Sequence, residues 1–271
     1  MNPIPLKARS ATVQPPSNAA PPQPSTAFLP KFVAFASLLL LILLASSAQA
    51  QPAHPLPRVL LIGDSISVGY TPFVQQGMAD RARVQHAPGN NESTRSGLRY
   101  LDQWLGAEAW DVIHFNFGLH DLKYVQAGQP ASDPALSKPW DPKRNPEKNV
   151  AEVSQGQQNV PVEEYEKNLH TLVERLQKTG ARLVWCSTTP VPEGVKYRVP
   201  GDEQRYNAAA RSVMESHGIP INDLWASCGS PENRLRLGGL AKDVHYKPEG
   251  SKALADRVIQ AIDHALQNRR P

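Results

Sequence analysis

Cysteine is nearly absent from this chain of 271 residues: only Cys186 and Cys228 occur. Two such distant thiols match no metal-ligand spacing, which excludes a cysteine-built metal centre. In an oxidising compartment they could form one bridge; as two separate buried thiols they would need none, and both readings stay open. Several signature loops are also lacking. There is no G-x-S-x-G, hence no nucleophile elbow of the usual α/β-hydrolase type. There is no G-x-G-x-x-G after the first strand-like run and no Gly-Lys-Ser/Thr phosphate loop, which excludes the common nucleotide cradles. No internal repeat is present. Aromatic residues make up 7% and no basic stripe interleaves with them, so nucleic acid is not an expected partner.

Long apolar runs are scarce as well. The one at Phe32 to Leu44 is shorter than the roughly 20 residues that span a bilayer. Lys31 precedes it and Ala48-Gln49-Ala50 follows. A basic n-region, a short apolar h-region and an A-x-A pattern predict an export signal cut after Ala50, behind an unusually long Pro-rich n-region. No cysteine lies near that point, which argues against a lipid anchor. Contact with the membrane is then expected only in transit, and the destination is periplasmic or extracellular. The first fifty residues hold Lys7, Arg9 and Lys31 and no acid, so they carry three of the four net positive charges. The remainder is close to neutral, and its length suits one large α/β domain. No feature specifies an oligomer.

Beyond position 57 strand-like and helix-like patterns alternate. Residues 58–63 (RVLLIG) form a continuous apolar run, as in a strand buried on both faces. Strands are also predicted at 83–87, 111–117, 182–188 and 219–223. Tyr165, Leu169, Leu172, Val173 and Leu176 fall on one helical face, with Gly180 as a stop. Residues 203–215 and the stripe Leu254, Val258, Ile259, Ile262 and Leu266 predict two more helices, the last opened by Pro248. Strands separated by helices imply parallel pairing with helices on both faces: a three-layer α/β/α domain around a central parallel five-stranded sheet. The stretch 125–160, rich in Pro, Gln, Lys and Asp, is too long for an ordinary connection. It is either a substrate-covering lid or a flexible insertion.

In such sheets ligands bind beyond the carboxyl ends of the strands. The first strand ends at Asp64-Ser65, the second at Pro88-Gly89-Asn90-Asn91, the third at Gly118-Leu119-His120-Asp121 and the fourth at Thr188-Thr189-Pro190. Asp243-Val244-His245 stands just before the last helix. A serine needs a base to take its proton and donors to hold an oxyanion. His245 can be the base and a nearby carboxylate can fix its tautomer. The N–H groups of Ser65, at a helix start, and of Gly89 can face a developing oxyanion. Asn90, Asn91, Asn116 and Thr189 are candidates for substrate contact. His86, His114, His170, His217 and His264 lie inside strands or helices without ligand spacing.

These blocks, "IGDSIS", "APGNN", "FNFGLHDL" and "KDVHYKPEG", resemble those of the SGNH, or GDSL-type, hydrolase family. The similarity spans nearly all of the chain after the leader: residues 1–50 read as n-region plus signal peptide, 51–57 as linker and 58–268 as the hydrolase-like domain. The resemblance implies a flavodoxin-like sheet of order 2-1-3-4-5. It also implies ester hydrolysis without metal or cofactor, and a small-molecule or glycan ester as partner. Many exported members remove acetyl groups from carbohydrates. Ser65, His245 and Asp243 are then the expected catalytic residues, and Ser65, Gly89 and His120 the oxyanion hole. Asn207 and Asp223 resemble bracing positions. Two departures stand out. His120 replaces the third-block asparagine, though its ring N–H can also donate. The usual acid three residues before the histidine is Lys242, leaving Asp243 two residues before it, or a backbone carbonyl, to hold the ring. A catalytically degenerate carbohydrate-binding protein and a lipid or thioester hydrolase are the alternatives on the same scaffold.

Overall fold

The computed structural model describes residues 55–128 and 150–267. The expected leader, most of the linker before 58, and residues 129–149 of the 125–160 insertion lie outside them, so the lid reading falls largely outside as well. Within the described residues the chain runs β1 (Arg58–Ile62), α1 (Ser65–Gly77), β2 (Arg83–His86), α2 (Thr94–Leu105), β3 (Val112–Phe115), β4 (Tyr124–Val125), β5 (Gln157–Gln158) and α3 (Val162–Gln177). It continues with β6 (Arg182–Cys186), α4 (Asp202–Ser216), β7 (Ile221–Asn222), α5 (Leu224–Cys228), α6 (Pro231–Arg236) and α7 (Pro248–Gln267).

Five strands form one sheet in the order β2-β1-β3-β6-β7, with every neighbouring pair parallel. Counting only those strands the order is 2-1-3-4-5, the flavodoxin-like arrangement expected. Val59, Leu60, Leu61 and Ile62 are each at most 1% exposed, so β1 is covered on both faces. Helices α1 and α7 pack together on one face; α2 packs on α3 and α3 on α4 on the other. Gly77 permits the first contact, since a Cβ there would stand 2.5 Å from Ile259 Cδ1. Gly97 permits the second layer to settle, because a Cβ would stand 2.9 Å from the Phe117 ring. The α3 stripe Tyr165, Leu169, Leu172, Val173 and Leu176 is wholly buried, as its spacing requires.

The ends of the insertion are tied beside the third strand's exit. Tyr124 and Val125 pair antiparallel with Gln158 and Gln157, and Val160 N–H donates to Asp121 O over 2.9 Å. Strand β7 is shorter than the predicted 219–223. Pro220 has no N–H to donate, and Asp223 already caps α5 by accepting from Ala226 N–H. Cys186 and Cys228 are both buried and unbonded to each other, which settles the open choice for free thiols. No helix of the described residues is long and apolar enough to cross a membrane.

Candidate active site

Parallel pairing brings the carboxyl ends of β1, β2, β3 and β6 to one rim. At the first of these ends Asp64 caps α1: its carboxylate accepts from Ile66 N–H at 2.9 Å. Ser65 is therefore the first helical residue, and the helix offers its N–H no partner. Asp64 is 1% exposed. Burial raises its pKa, against the Ile66 N–H bond and the charges of His245, Arg198 and Lys123, which lower it.

The loop 238–247 reaches the same rim and delivers His245. Its Nε2 lies 2.8 Å from Ser65 Oγ, across 180 positions of sequence. Its Nδ1 lies 2.6 Å from Asp243 Oδ1. A carboxylate only accepts, so Nδ1 carries the ring proton and Nε2 is left to accept from Ser65. Asp243 Oδ1 also accepts from His245 N–H at 3.0 Å. This is an Asx-type closure, side chain to the N–H two residues on. It explains how an acid two residues before the histidine reaches the ring. The preceding Lys242 turns the chain with φ of 56°, a left-handed conformation that redirects the backbone before Asp243. Burial opposes ionisation of Asp243. The His245 amide, the His245 charge and ring N–H, and the Arg234 charge outweigh it and hold the carboxyl below its ordinary value.

The second loop is pinned to the first. Asn91 Oδ1 accepts from Gly63 N–H at 2.9 Å, Asn91 N–H donates to Gly63 O at 3.1 Å, and Nδ2 donates to Pro88 O at 3.2 Å. Gly89, inside that loop, has φ of 76°, where a side chain would be strained. Asn91 is 0% exposed and its amide is spent on backbone. It braces the loop. Asn116 also serves the backbone: its Nδ2 donates to Cys186 O at 2.6 Å and sits 3.4 Å from Thr188 Oγ1, so it ties β3 to β6. Asn90 differs. Its Oδ1 accepts from Glu92 N–H at 3.3 Å, while its buried Nδ2 has no partner among the described residues. The Thr189 hydroxyl is buried facing the Tyr246 phenol, without sound hydrogen-bond geometry.

At the third exit Gly118 passes so close to β6 that a Cβ would meet Thr188 Oγ1 at 2.0 Å. His120 is 4% exposed and its carbonyl accepts from Asn159 Nδ2 at 3.0 Å. Asp121 Oδ1 accepts from both Thr94 N–H (2.8 Å) and Thr94 Oγ1–H (2.6 Å), which anchors the start of α2. Asn207 clamps the fourth exit through both the N–H and the carbonyl of Thr188. Thr94, Tyr246 and Arg234 also build this rim, at positions the sequence motifs do not mark. Thr94 carried the one available signal, a hydroxyl at a helix start.

Burial pushes Asp121 up to about 7, against the Thr94 hydrogen bonds and with the Asp64 charge adding to the rise. The sign follows from proton uptake. Between the unfolded value of 3.8 and about 7 the folded protein binds the extra proton. The stability this supplies is complete below 3.8 and gone once the pH passes about 7. Urea unfolding of Asp121→Asn, compared with the parent from pH 4 to 8, should show the parent losing roughly 2–4 kcal/mol relative to the variant. A constant difference between the two would contradict the buried, protonated carboxyl.

The model of the GDSL-like lipase/acylhydrolase family matches residues 61–253, most of the chain and every block of this rim. The chain belongs to that family. No curated protein matches it in sequence. Among solved structures it is similar to a lipase/acylhydrolase from Enterococcus faecalis, with TM-score 0.59, 17% identity, 80% of this chain and 100% of that one covered. It is also similar to an acetyl xylan esterase, with TM-score 0.56, 19% identity and 76% and 99% covered. A GDSL-like lipase from Bacteroides thetaiotaomicron VPI-5482 follows, with TM-score 0.55, 15% identity and 87% and 98% covered. These likenesses establish the fold they share with this GDSL-like acylhydrolase, an ester-hydrolysing enzyme by family.

Proposed function

We propose that this acylhydrolase is an exported serine esterase that removes O-acetyl groups from carbohydrates. The observation that carries the reaction is the continuous chain from Ser65 Oγ through His245 to Asp243. As Ser65 Oγ bonds to the ester carbonyl carbon, its proton passes to His245 Nε2. The C=O electron pair moves onto the oxygen, which rests on the N–H groups of Ser65 and Gly89 and on His120. Collapse of the tetrahedral species breaks the C–O bond, and His245 protonates the departing sugar alcohol. Water then attacks the acyl-serine with the same base, releasing acetate and restoring Ser65. Asp243 stays ionised and holds the imidazolium.

The carbohydrate reading is supported by the likeness to an acetyl xylan esterase, by the export-type leader and by the Asn90 Nδ2 at the rim, which has no partner among the described residues. It is tested with acetylated xylo-oligosaccharides, 4-nitrophenyl esters of rising chain length and an acyl thioester. Fastest turnover on acetylated sugars, lost in Ser65→Ala, is the expected result. Faster turnover of long acyl esters would move the assignment to lipids, and of the thioester to thioesterase chemistry. Sugar binding with no hydrolysis at all would make the chain a binding protein.

A further inference from the structure

Arg234 is the only fully buried arginine among the described residues, with 0% exposure, although its helix neighbour Arg236 is at the surface. Its guanidinium fills the inside of the 238–247 loop. One terminal nitrogen, Nη1, donates to Leu240 O at 2.9 Å. The other, Nη2, donates to Asp243 O at 2.8 Å and to His245 O at 2.9 Å. The Tyr246 ring covers it, 4.6 Å from the guanidinium carbon to the ring centroid. Gly239 makes the room: a Cβ there would stand 2.7 Å from Nη1 and 2.9 Å from Cζ. The loop's own ladder adds Leu240 N–H to His245 O and Lys247 N–H to Gly238 O.

Two of the three carbonyls that Arg234 gathers belong to Asp243 and His245. Without it the half-buried carbonyls of Leu240 and Asp243 would lose a donor, a cost of up to a lost hydrogen bond for each. We propose that Arg234 is a positioning residue that fixes the backbone carrying the histidine–aspartate pair, so that His245 Nε2 is held at Ser65. This rests on the catalytic reading of Ser65, His245 and Asp243. The chemistry is specific to arginine. A planar fork of five donors can meet three carbonyls at once, whereas a lysine ammonium is a point charge that cannot span them. A displacement of about 1 Å at a reacting group costs on the order of 100-fold in rate.

The test compares Arg234→Lys and Gly239→Ala with the parent on 4-nitrophenyl acetate, at a temperature where circular dichroism shows all three folded. Arg234→Lys should lower kcat by about 30- to 100-fold with KM nearly unchanged. Gly239→Ala keeps the arginine but crowds its guanidinium, and should lower kcat by about 3- to 10-fold in the same manner. The downfield imidazole N–H resonance of His245, held by Asp243 in the parent, should broaden or vanish in Arg234→Lys. That resonance needs no substrate, so it reports on the clamp even if esters prove to be the wrong substrates. Loss of activity in Ser65→Ala with an undisturbed kcat and resonance in folded Arg234→Lys would overturn the positioning role alone. Failure of both variants to fold would overturn it too, by making Arg234 a support of the whole domain. Full activity in Ser65→Ala would instead remove the catalytic reading on which the proposal stands.

Discussion

Ser65→Ala should lower kcat/KM on an activated acetyl ester by about 10⁴- to 10⁶-fold, to a residue of activity owed to binding and the oxyanion donors. The size follows from the absence of a stand-in near the base among the described residues. Ser67 lies two residues on, but its hydroxyl is engaged with Asp64 O at 2.7 Å and His86 Nε2 at 2.6 Å on another side of the loop. It is 2% exposed and cannot approach a substrate held at His245. His245→Ala should cost about as much, and the double variant little more than either single one, because nucleophile and base act as a unit. Steady-state kinetics of the three variants check this. The fold should be unaffected, since alanine suits a first helical turn and the Asp64 cap remains. Additive losses in the double variant would mean that the two side chains act independently.

The second large effect is expected at Asp243. Asparagine keeps the shape, but the one oxygen that accepts from both the His245 amide and the ring N–H loses its charge, so the imidazolium formed when Ser65 gives up its proton is no longer held by an anion. With the amide turned over, its NH₂ group stands where both donors need an acceptor and favours the tautomer with the proton on Nε2, which cannot take the proton from Ser65. A fall in kcat of about 10²- to 10⁴-fold is expected, with KM little changed. Because Asp243 is held below its ordinary value, its carboxylate contact is present throughout the pH range above 3.8 and is lost only as the pH falls through that lowered value. The defect of Asp243→Asn should therefore be nearly constant from pH 6 to 9. A kcat within about 3-fold of the parent would show that a backbone carbonyl, and not this acid, orients the ring.

Much of this arrangement was legible because each strand exit was marked by residues with restricted chemistry. The run RVLLIG reads as a strand buried on both faces, and β1 is that strand. Gly-Asp-Ser reads as a turn into a helix, and Asp64 is the cap. Helix α2 was harder. Its buried face is Thr94, Ser96, Gly97, Tyr100, Leu101 and Trp104, a set in which small and polar residues blur the apolar stripe. Only the tertiary contacts with Phe117 and Leu172 explain Gly97. Asn91 and Asn116 looked like ligand residues because an amide near a strand exit suits either task. Which task it performs depends on backbone groups 28 and 70 positions away. Arg234 carried no local signal: its burial is set by a loop that closes over it and by Gly239 leaving space.

The meeting of hydroxyl and imidazole at the rim is tested most directly by a fluorophosphonate probe, with the modified peptide mapped by mass spectrometry. A single adduct on Ser65, formed rapidly in the parent and slowed at least about 100-fold in His245→Ala, is the expected result. An adduct on another residue, or none while the protein still hydrolyses esters, would contradict a Ser65 nucleophile.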